Sequence, residues 1–399
     1  MSTFVPRNEE EVCEVVRWAA AQREALAVSG SGSRAGFGYE VNSNHGISLK
    51  EMSGIRDYDP RELVLTAAVG TPLAEIHAAL TENGQQLAFE PPDPSVLFGS
   101  AGAGTLGGVF LGNQSGPRRI HAGAARDHIL GVRAVNGRGE MWKSGGKVIK
   151  NVTGYDLSKL LAGSWGTLSI ITEISCKVLP ASGASTVGVA VDNITTALAL
   201  LIRIASSSLS PTGLAYVPQT PGAEDAFMAD IRGHCLLRFE GTDSGVMERI
   251  AAASQLLNQA ARPRVWAGNE SNAIWRALRD AAPVAASPVV LKLSLPPTWA
   301  PAVADALAAR QIYAWYLDTG GAWFWIGVES AAAVELVQAL RDLLRTVGGS
   351  VVIMRAPAAT KSAISVLTPQ PPALAALTGR LKQSFDPLGL FNPGRLYPV

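Results

Sequence analysis

The residues best suited to chemistry lie in glycine-rich backbone rather than in a cluster of catalytic side chains. A short apolar run, Leu26-Ala27-Val28, leads straight into Ser29-Gly30-Ser31-Gly32-Ser33-Arg34. Glycine at 30 and 32 allows positive φ, so successive backbone N–H groups can converge on an anion. Ser29, Ser31 and Ser33 add hydroxyl donors, and Arg34 adds charge. A diphosphate would suit such a nest. Taken alone, the segment reads equally well as a flexible surface turn. It is not a Walker loop, because no Gly-Lys-Ser/Thr follows. Nor is it a Rossmann fingerprint, because the spacing is wrong and no acidic residue closes a following strand–helix–strand unit.

A second segment raises the odds for a ligand. Seven of the nineteen residues from Phe98 to Gly116 are glycine, too dense for helix or strand throughout. Such a run implies backbone brought close to something. It contains Gly102-Ala103-Gly104-Thr105-Leu106-Gly107-Gly108 and then Asn113-Gln114-Ser115-Gly116. Further on come Lys147-Val148-Ile149-Lys150-Asn151-Val152-Thr153-Gly154-Tyr155-Asp156 and Gly163-Ser164-Trp165-Gly166-Thr167-Leu168-Ser169-Ile170-Ile171-Thr172. Lys147 and Lys150 could support phosphates or simply be solvated.

The elements that must position these loops follow from periodicity and capping. Asn8, with Glu11 three positions on, predicts a capped helix with Val12, Val15, Val16 and Ala19 on one face. Leu63 to Val69 reads as a strand. Thr71-Pro72 predicts a helix start, with Thr71 as the capping hydroxyl, and a stop at Gly84. Asn136-Gly137 between apolar runs predicts a hairpin. From about Thr186 the pattern becomes an internal repeat. Its two copies, Val187 to Ala267 and Val289 to Met354, each read β-α-β-β-α-β, the ferredoxin-like order, with a helical insert from Ser271 to Ala282 between them.

Composition bounds the function classes. The 399 residues are 47% apolar and 17% charged, enough for two or three globular domains. Lys plus Arg number 34 against 33 Asp plus Glu, so no basic field invites nucleic acid. Cys13, Cys176 and Cys235 lack metal-ligand spacing and read as buried thiols of a reduced, cytoplasmic protein. No metal site is expected. The N-terminus carries no signal-peptide pattern, and no apolar run reaches membrane-spanning length.

Together the glycine segments, their order, and the closing Phe391-Asn392-Pro393-Gly394-Arg395-Leu396 resemble the FAD-binding domain of the vanillyl-alcohol oxidase/p-cresol methylhydroxylase superfamily. The chain resembles in particular the branch formed by the FAD-binding subunits of bacterial glycolate oxidases. The resemblance covers residues 1 to about 180 and the tail. It implies an α+β protein: a two-part FAD-binding domain (residues 1–183), an inserted cap of two βαββαβ repeats (184–356), and a C-terminal tail returning to the FAD domain (357–399). It assigns the FAD pyrophosphate to Ser29, Gly30, Ser31, Gly32, Ser33 and Arg34. The flavin and ribityl side falls to Gly102, Gly104, Thr105, Gly107, Gly108, Asn113, Ser115 and Gly116. Gly163, Gly166, Thr167, Ile170 and Ile171 would close over the cofactor, and Asn392 would stand beside the isoalloxazine. Ser and Arg occupy the place of a flavin-linking His, so the FAD is expected to be non-covalent.

The resemblance also implies what the protein does. It predicts the FAD-binding subunit of a complex that oxidises glycolate, or another small 2-hydroxy acid, and passes electrons through flavin. A larger flavin subunit and an iron–sulfur subunit would be its partners, with peripheral membrane attachment through them. Two departures favour a subunit over a self-sufficient enzyme. The His-x-Gly-Asp-Gly-Asn segment of stand-alone relatives is missing, since His45, His77, His121, His128 and His234 lie elsewhere. Trp165 also replaces the usual Glu of the Gly-Ser-Glu-Gly loop. The helix Trp275-Arg276-Ala277-Leu278-Arg279-Asp280 resembles the relatives' Leu-Trp-x-x-Arg segment, making Arg276 and Arg279 candidate substrate-carboxylate ligands; a surface pairing with Asp280 is the duller alternative. The catalytic base is not identified. His234 reads as a strand-end residue and Trp323-Phe324-Trp325 as cap core or pocket wall. A stand-alone dehydrogenase of D-lactate-like acids and a scaffold that has lost FAD are the rival readings.

Overall fold

A computed structural model describes residues 2–147, 155–219, 230–257 and 263–397. Lys150 and the rest of the 148–154 stretch lie outside these. The chain divides into two compact units. One comprises Met1–Ser115, Gly123–Ala181 and Pro369–Val399; the other comprises Gly116–Ala122 and Ser182–Thr368.

The first unit contains two principal sheets. Strands β1 (Ser2–Phe4), β2 (Leu26–Ser29) and β3 (His45–Ser48) pair in parallel in the order β1-β3-β2. The tail adds to this sheet's edge. Leu26 N–H donates to Leu390 O at 2.7 Å, Asn392 N–H donates to Leu26 O at 3.0 Å, and Phe391 bridges Leu26 in parallel. A five-stranded antiparallel sheet has the order β4-β5-β9-β7-β8, from β4 (Ile55–Asp59), β5 (Val64–Ala68), β7 (Ile129–Val135), β8 (Met141–Gly145) and β9 (Ile170–Lys177). A two-residue β6 (Gln85–Gln86) pairs with β10 (Leu179–Pro180).

Local chemistry explains most of these elements. The Glu9–Gln22 helix is capped by Asn8, whose Oδ1 accepts the Glu11 N–H at 2.9 Å, and it buries Val12, Cys13, Val16 and Ala19. The next helix, Leu73–Glu82, differs from expectation at its start. Thr71 does not cap it; the hydroxyl instead donates to Ala68 O at 2.6 Å and accepts the Gly54 N–H at 3.0 Å. The bond to the strand end removes the hydroxyl from the cap. The hairpin at Asn136-Gly137 joins β7 to β8, and the Asn136 side chain accepts the Arg138 and Glu140 N–H groups.

The second unit is one eight-stranded antiparallel sheet with the order β14-β11-β13-β12-β16-β17-β15-β18. Its strands are β11 (Gly183–Ala190), β12 (Gly213–Val217), β13 (His234–Gly241), β14 (Arg264–Ala267), β15 (Val289–Ser294), β16 (Trp315–Asp318), β17 (Trp323–Val328) and β18 (Ser350–Arg355). Helices Ile194–Ala205 and Asp243–Leu257 interrupt the first four strands; Ala300–Ala308 and Ser330–Leu344 interrupt the last four. Each half is therefore βαββαβ, and the halves meet where β12 pairs with β16 through Tyr216 and Leu317. The short stretch 116–122 joins this unit from the first half of the chain. Arg118 forms an ion pair with Glu240, which Arg238 also approaches at 3.2 Å, all three being buried or nearly so.

Candidate cofactor site

The two glycine segments meet in the first unit. A cleft enclosing about 670 Å³, part of it open to solvent, is lined by the whole stretch 28–35 and by Thr105, Gly107, Gly108, Trp165, Gly166 and Arg395, among others. Glycine is required where the segments touch. A Cβ at Gly30 would stand 2.7 Å from Thr105 Oγ1, and one at Gly104 would stand 2.2 Å from Arg34 Nη1. Gly107 N–H donates to Val69 O at 2.9 Å, and a Cβ there would collide with the Val69 side chain. Of the first pair, only Gly32 uses positive φ, at 74°; Gly30 serves close approach instead.

Side chains give the cleft its charge. Arg34 is 5% exposed, and burial holds its guanidinium down to about 10, with Asp93 opposing the shift. Its Nη1 donates to Ser33 Oγ at 3.1 Å, its Nη2 to Pro92 O at 3.2 Å and its Nε to Gln114. Arg395 crosses it from the tail and donates through Nη2 to Arg34 O at 3.0 Å. Burial lowers the Arg395 guanidinium as well, and its buried Nε has no hydrogen-bond partner. One buried guanidinium and one partly buried, the latter with an orphaned donor, make a site short of negative charge. Trp165 walls the cleft in the left-handed region (φ 53°) and stacks on Phe37 with ring centroids 3.9 Å apart.

The remaining candidates are not in the cleft's wall. Asn392 is 2% exposed; it accepts the Val28 N–H at 2.8 Å and donates to Trp165 O at 3.0 Å, tying the loop strand to the tryptophan. Asn113 Oδ1 accepts the Arg126 N–H, and Ser115 Oγ accepts the Ala125 N–H. Gly163 approaches Asn113, and Thr167 donates to Ser164 O at 2.7 Å. Ile170 and Ile171 are core residues of β9, and Gly116 falls in the second unit. Gly102 takes φ 96° in open space. Lys147 is exposed and pairs with Asp57.

In the second unit, the helix Gly268–Arg279 buries Trp275, whose indole N–H donates to Thr186 Oγ1 at 2.8 Å. Arg276 is exposed, and Arg279 forms two 2.8 Å bonds to the buried Asp280. The residue the sequence reading missed is Arg395. It ends the Asn-Pro-Gly-Arg tail motif, so the signal was present in the motif that flagged Asn392. The three cysteines are free and buried, with Cys176 pushed up to about 12 by burial.

Comparison with known proteins agrees with this geometry. A family model described as an FAD binding domain matches residues 2–145. The chain is 33% identical to "Glycolate oxidase subunit GlcE" of Escherichia coli K12, over 97% of both chains. It is 30% identical to "Glycolate oxidase subunit GlcD" of Bacillus subtilis, over 55% of this chain and 45% of that one. In fold it resembles an alkyldihydroxyacetonephosphate synthase with a TM-score of 0.68 at 19% identity, covering 98% of this chain and 76% of the other.

Proposed function

Because the chain belongs to the glycolate oxidase subunit GlcE family of FAD-dependent oxidoreductases, we propose that it is the FAD-binding subunit of a complex oxidising a small 2-hydroxy acid, glycolate first among them. The observation that carries this reading is the cleft itself: backbone donors, hydroxyls, the buried Arg34 and the partly buried Arg395 with its unsatisfied Nε. These residues fit a diphosphate-bearing cofactor. Bound FAD would supply the acceptor for the substrate's hydride.

In this reading the backbone and hydroxyls of Ser29 to Arg34 hold the pyrophosphate, with Thr105, Gly107 and Gly108 giving close approach. Arg34 and Arg395 neutralise its charge in a site where water is partly excluded. Asn392 acts as a positioning residue, since its amide fixes the Val28 strand end and the Trp165 carbonyl. Among the described residues no His, Cys or Tyr lines the cleft, in keeping with a non-covalent cofactor. Partners would be a larger flavin subunit and an iron–sulfur subunit. Among the described residues no group of His, Cys, Asp or Glu is arranged to hold a metal, so a cluster relay would belong to a partner. Likewise, no described helix is long and apolar enough to cross a membrane, so attachment there would also run through partners.

The test is the visible spectrum of the purified chain before and after anaerobic glycolate. A flavin released by acid, and bleached only once the partner subunits are added, is the expected result. Bleaching of the isolated chain would instead make it a self-sufficient dehydrogenase. A colourless protein that FAD cannot reconstitute would overturn the cofactor assignment.

A further inference from the structure

The Asn-Gly pair occurs twice in the chain, at Asn83-Gly84 and Asn136-Gly137. Glycine has no Cβ to shield its backbone nitrogen, so that nitrogen can attack the preceding asparagine's side-chain carbon. Asn83 and Gly84 are exposed at the end of the Leu73–Glu82 helix. Gly137 is buried at the tip of the β7–β8 hairpin, against the end of the tail helix Pro372–Phe385. Its N–H donates to Phe385 O at 2.8 Å, and Arg138 Nη1 donates to Ser384 O at 3.2 Å. A Cβ on Gly137 would stand 2.6 Å from Asp386 Oδ1 and 2.7 Å from Asp386 Cα, so the tail closes directly over the glycine.

Asn136 is held as firmly. Its Oδ1 accepts the Arg138 and Glu140 N–H groups at 2.9 and 3.1 Å, and its Nδ2 donates to Glu140 Oε2 at 2.8 Å. Attack requires the Gly137 nitrogen to give up its proton to solvent base. With the tail in place a carbonyl holds that proton, and the Asp386 carboxylate opposes a second negative charge beside it. The clamp is lightly built. No side chain of the tail helix is buried, and Leu374 and Leu377 are exposed. Phe385 is partly buried and meets Trp142 on β8 with ring centroids 5.6 Å apart. A segment with little buried apolar contact opens locally at low cost.

We propose that Asn136 is a site of spontaneous deamidation held shut by the docked tail, and that modification there keeps the tail from docking again. With the helix end lifted, the Gly137 N–H proton passes to solvent base. The bond from its nitrogen to Asn136 Cγ forms, and the Cγ–Nδ2 bond breaks with loss of ammonia. Water then opens the cyclic imide at either carbonyl, leaving aspartate or isoaspartate. One water is consumed for each ammonia released, and nothing is oxidised or reduced. Both products place a new negative charge beside Glu140, where the Nδ2 donor had been, and like charges in contact repel. Isoaspartate also lengthens the main chain of the turn that presents the Gly137 N–H to Phe385.

The experiment incubates the full chain in mildly alkaline buffer. Tryptic peptides are read by liquid chromatography and mass spectrometry for the amide-to-acid mass gain and for isoaspartate. Folded wild type should convert Asn136 more slowly than the urea-unfolded chain by roughly tenfold or more. Phe385→Ala, which removes the packing on Trp142, should speed Asn136 by roughly five- to tenfold and leave Asn83 unchanged. Val16→Ala, which hollows the core beneath the first helix, should leave Asn136 slow. Asp386→Asn carries the test if Phe385→Ala does not fold. Equal rates at Asn136 in folded and unfolded wild type, or acceleration by Val16→Ala as large as by the tail variant, would overturn the lock. So would a tail variant that deamidates no faster than wild type. Deamidated chain separated by ion exchange should be cut by trypsin after Arg380 and Lys382 several-fold faster than unmodified chain. Cutting at the same rate would overturn the effect on docking.

Discussion

At the scale of single residues, charge balance decides what the cleft holds. Arg395 brings an orphaned Nε, and the Arg34 guanidinium donates to the neutral Gln114, Ser33 and Pro92 oxygens. A charge-assisted bond contributes about 1.5–3 kcal/mol, so Arg395→Ala should weaken FAD binding by roughly 10- to 100-fold. Equilibrium dialysis against FAD measures it, and thermal unfolding of the apoprotein should change little. Lys292 gives a pH signature. Burial is the main cause holding its ammonium at about 7; Asp318 raises it and Arg119 lowers it, and the Tyr316 phenol on the same face stays protonated far above that range. The fold therefore favours the neutral amine, so stability should rise as pH climbs from about 7 towards the ordinary lysine value of 10.5. Urea midpoints measured across that window check the rise, and Lys292→Met should flatten the profile.

At the scale of elements, close approach rather than propensity builds the site. The Leu106–Leu111 helix starts at Thr105, whose hydroxyl accepts the Gly108 N–H, and carries glycine at its second and third positions. Both glycines cost helix stability, and Gly107 repays it by letting the helix sit against Val69. A Cβ there would lie 2.0 Å from Val69 Cγ2, so Gly107→Ala should destabilise the protein by about 1–3 kcal/mol, read as a lower urea midpoint. The Asn8 cap and the Asn136-Gly137 hairpin were legible because each is settled within a few residues. Thr71 was misread because its hydroxyl is taken by Ala68 and Gly54, and the latter bond is not local. The dense glycines announced a site, but their sequence could not say which would use positive φ and which would only make room.

At the scale of the whole molecule, pairings between distant segments were the part hidden from sequence. The β12–β16 seam that makes eight strands one sheet, and the recruitment of Arg118 to Glu240, depend on segments far apart in the chain. The tail is the strongest case. Asp386, 1% exposed, accepts the Leu390 and Phe391 N–H groups and the Lys382 ammonium, which also donates to Thr167 O at 2.6 Å. Breaking a buried pair leaves its partner uncompensated. Asp386→Asn should therefore cost about 3 kcal/mol and loosen FAD together with the fold, seen as a coupled fall in melting temperature and flavin retention.

The Val28–Asn392 bond spans 364 positions, and this distance has a meaning in time as well as in space. At roughly 5–20 residues per second of synthesis, the strand that feeds the phosphate loop leaves the ribosome about 20–70 seconds before the residues that complete its edge. Arg395 arrives later still, so the nascent chain carries its anion nest long before it carries the second cation. Cofactor capture therefore belongs to the end of translation. If FAD binds as proposed, cofactor and tail close the same gap, and a nascent chain stalled before Asn392 would be left with a loop that binds FAD weakly and an unpaired β2 edge open to proteolysis.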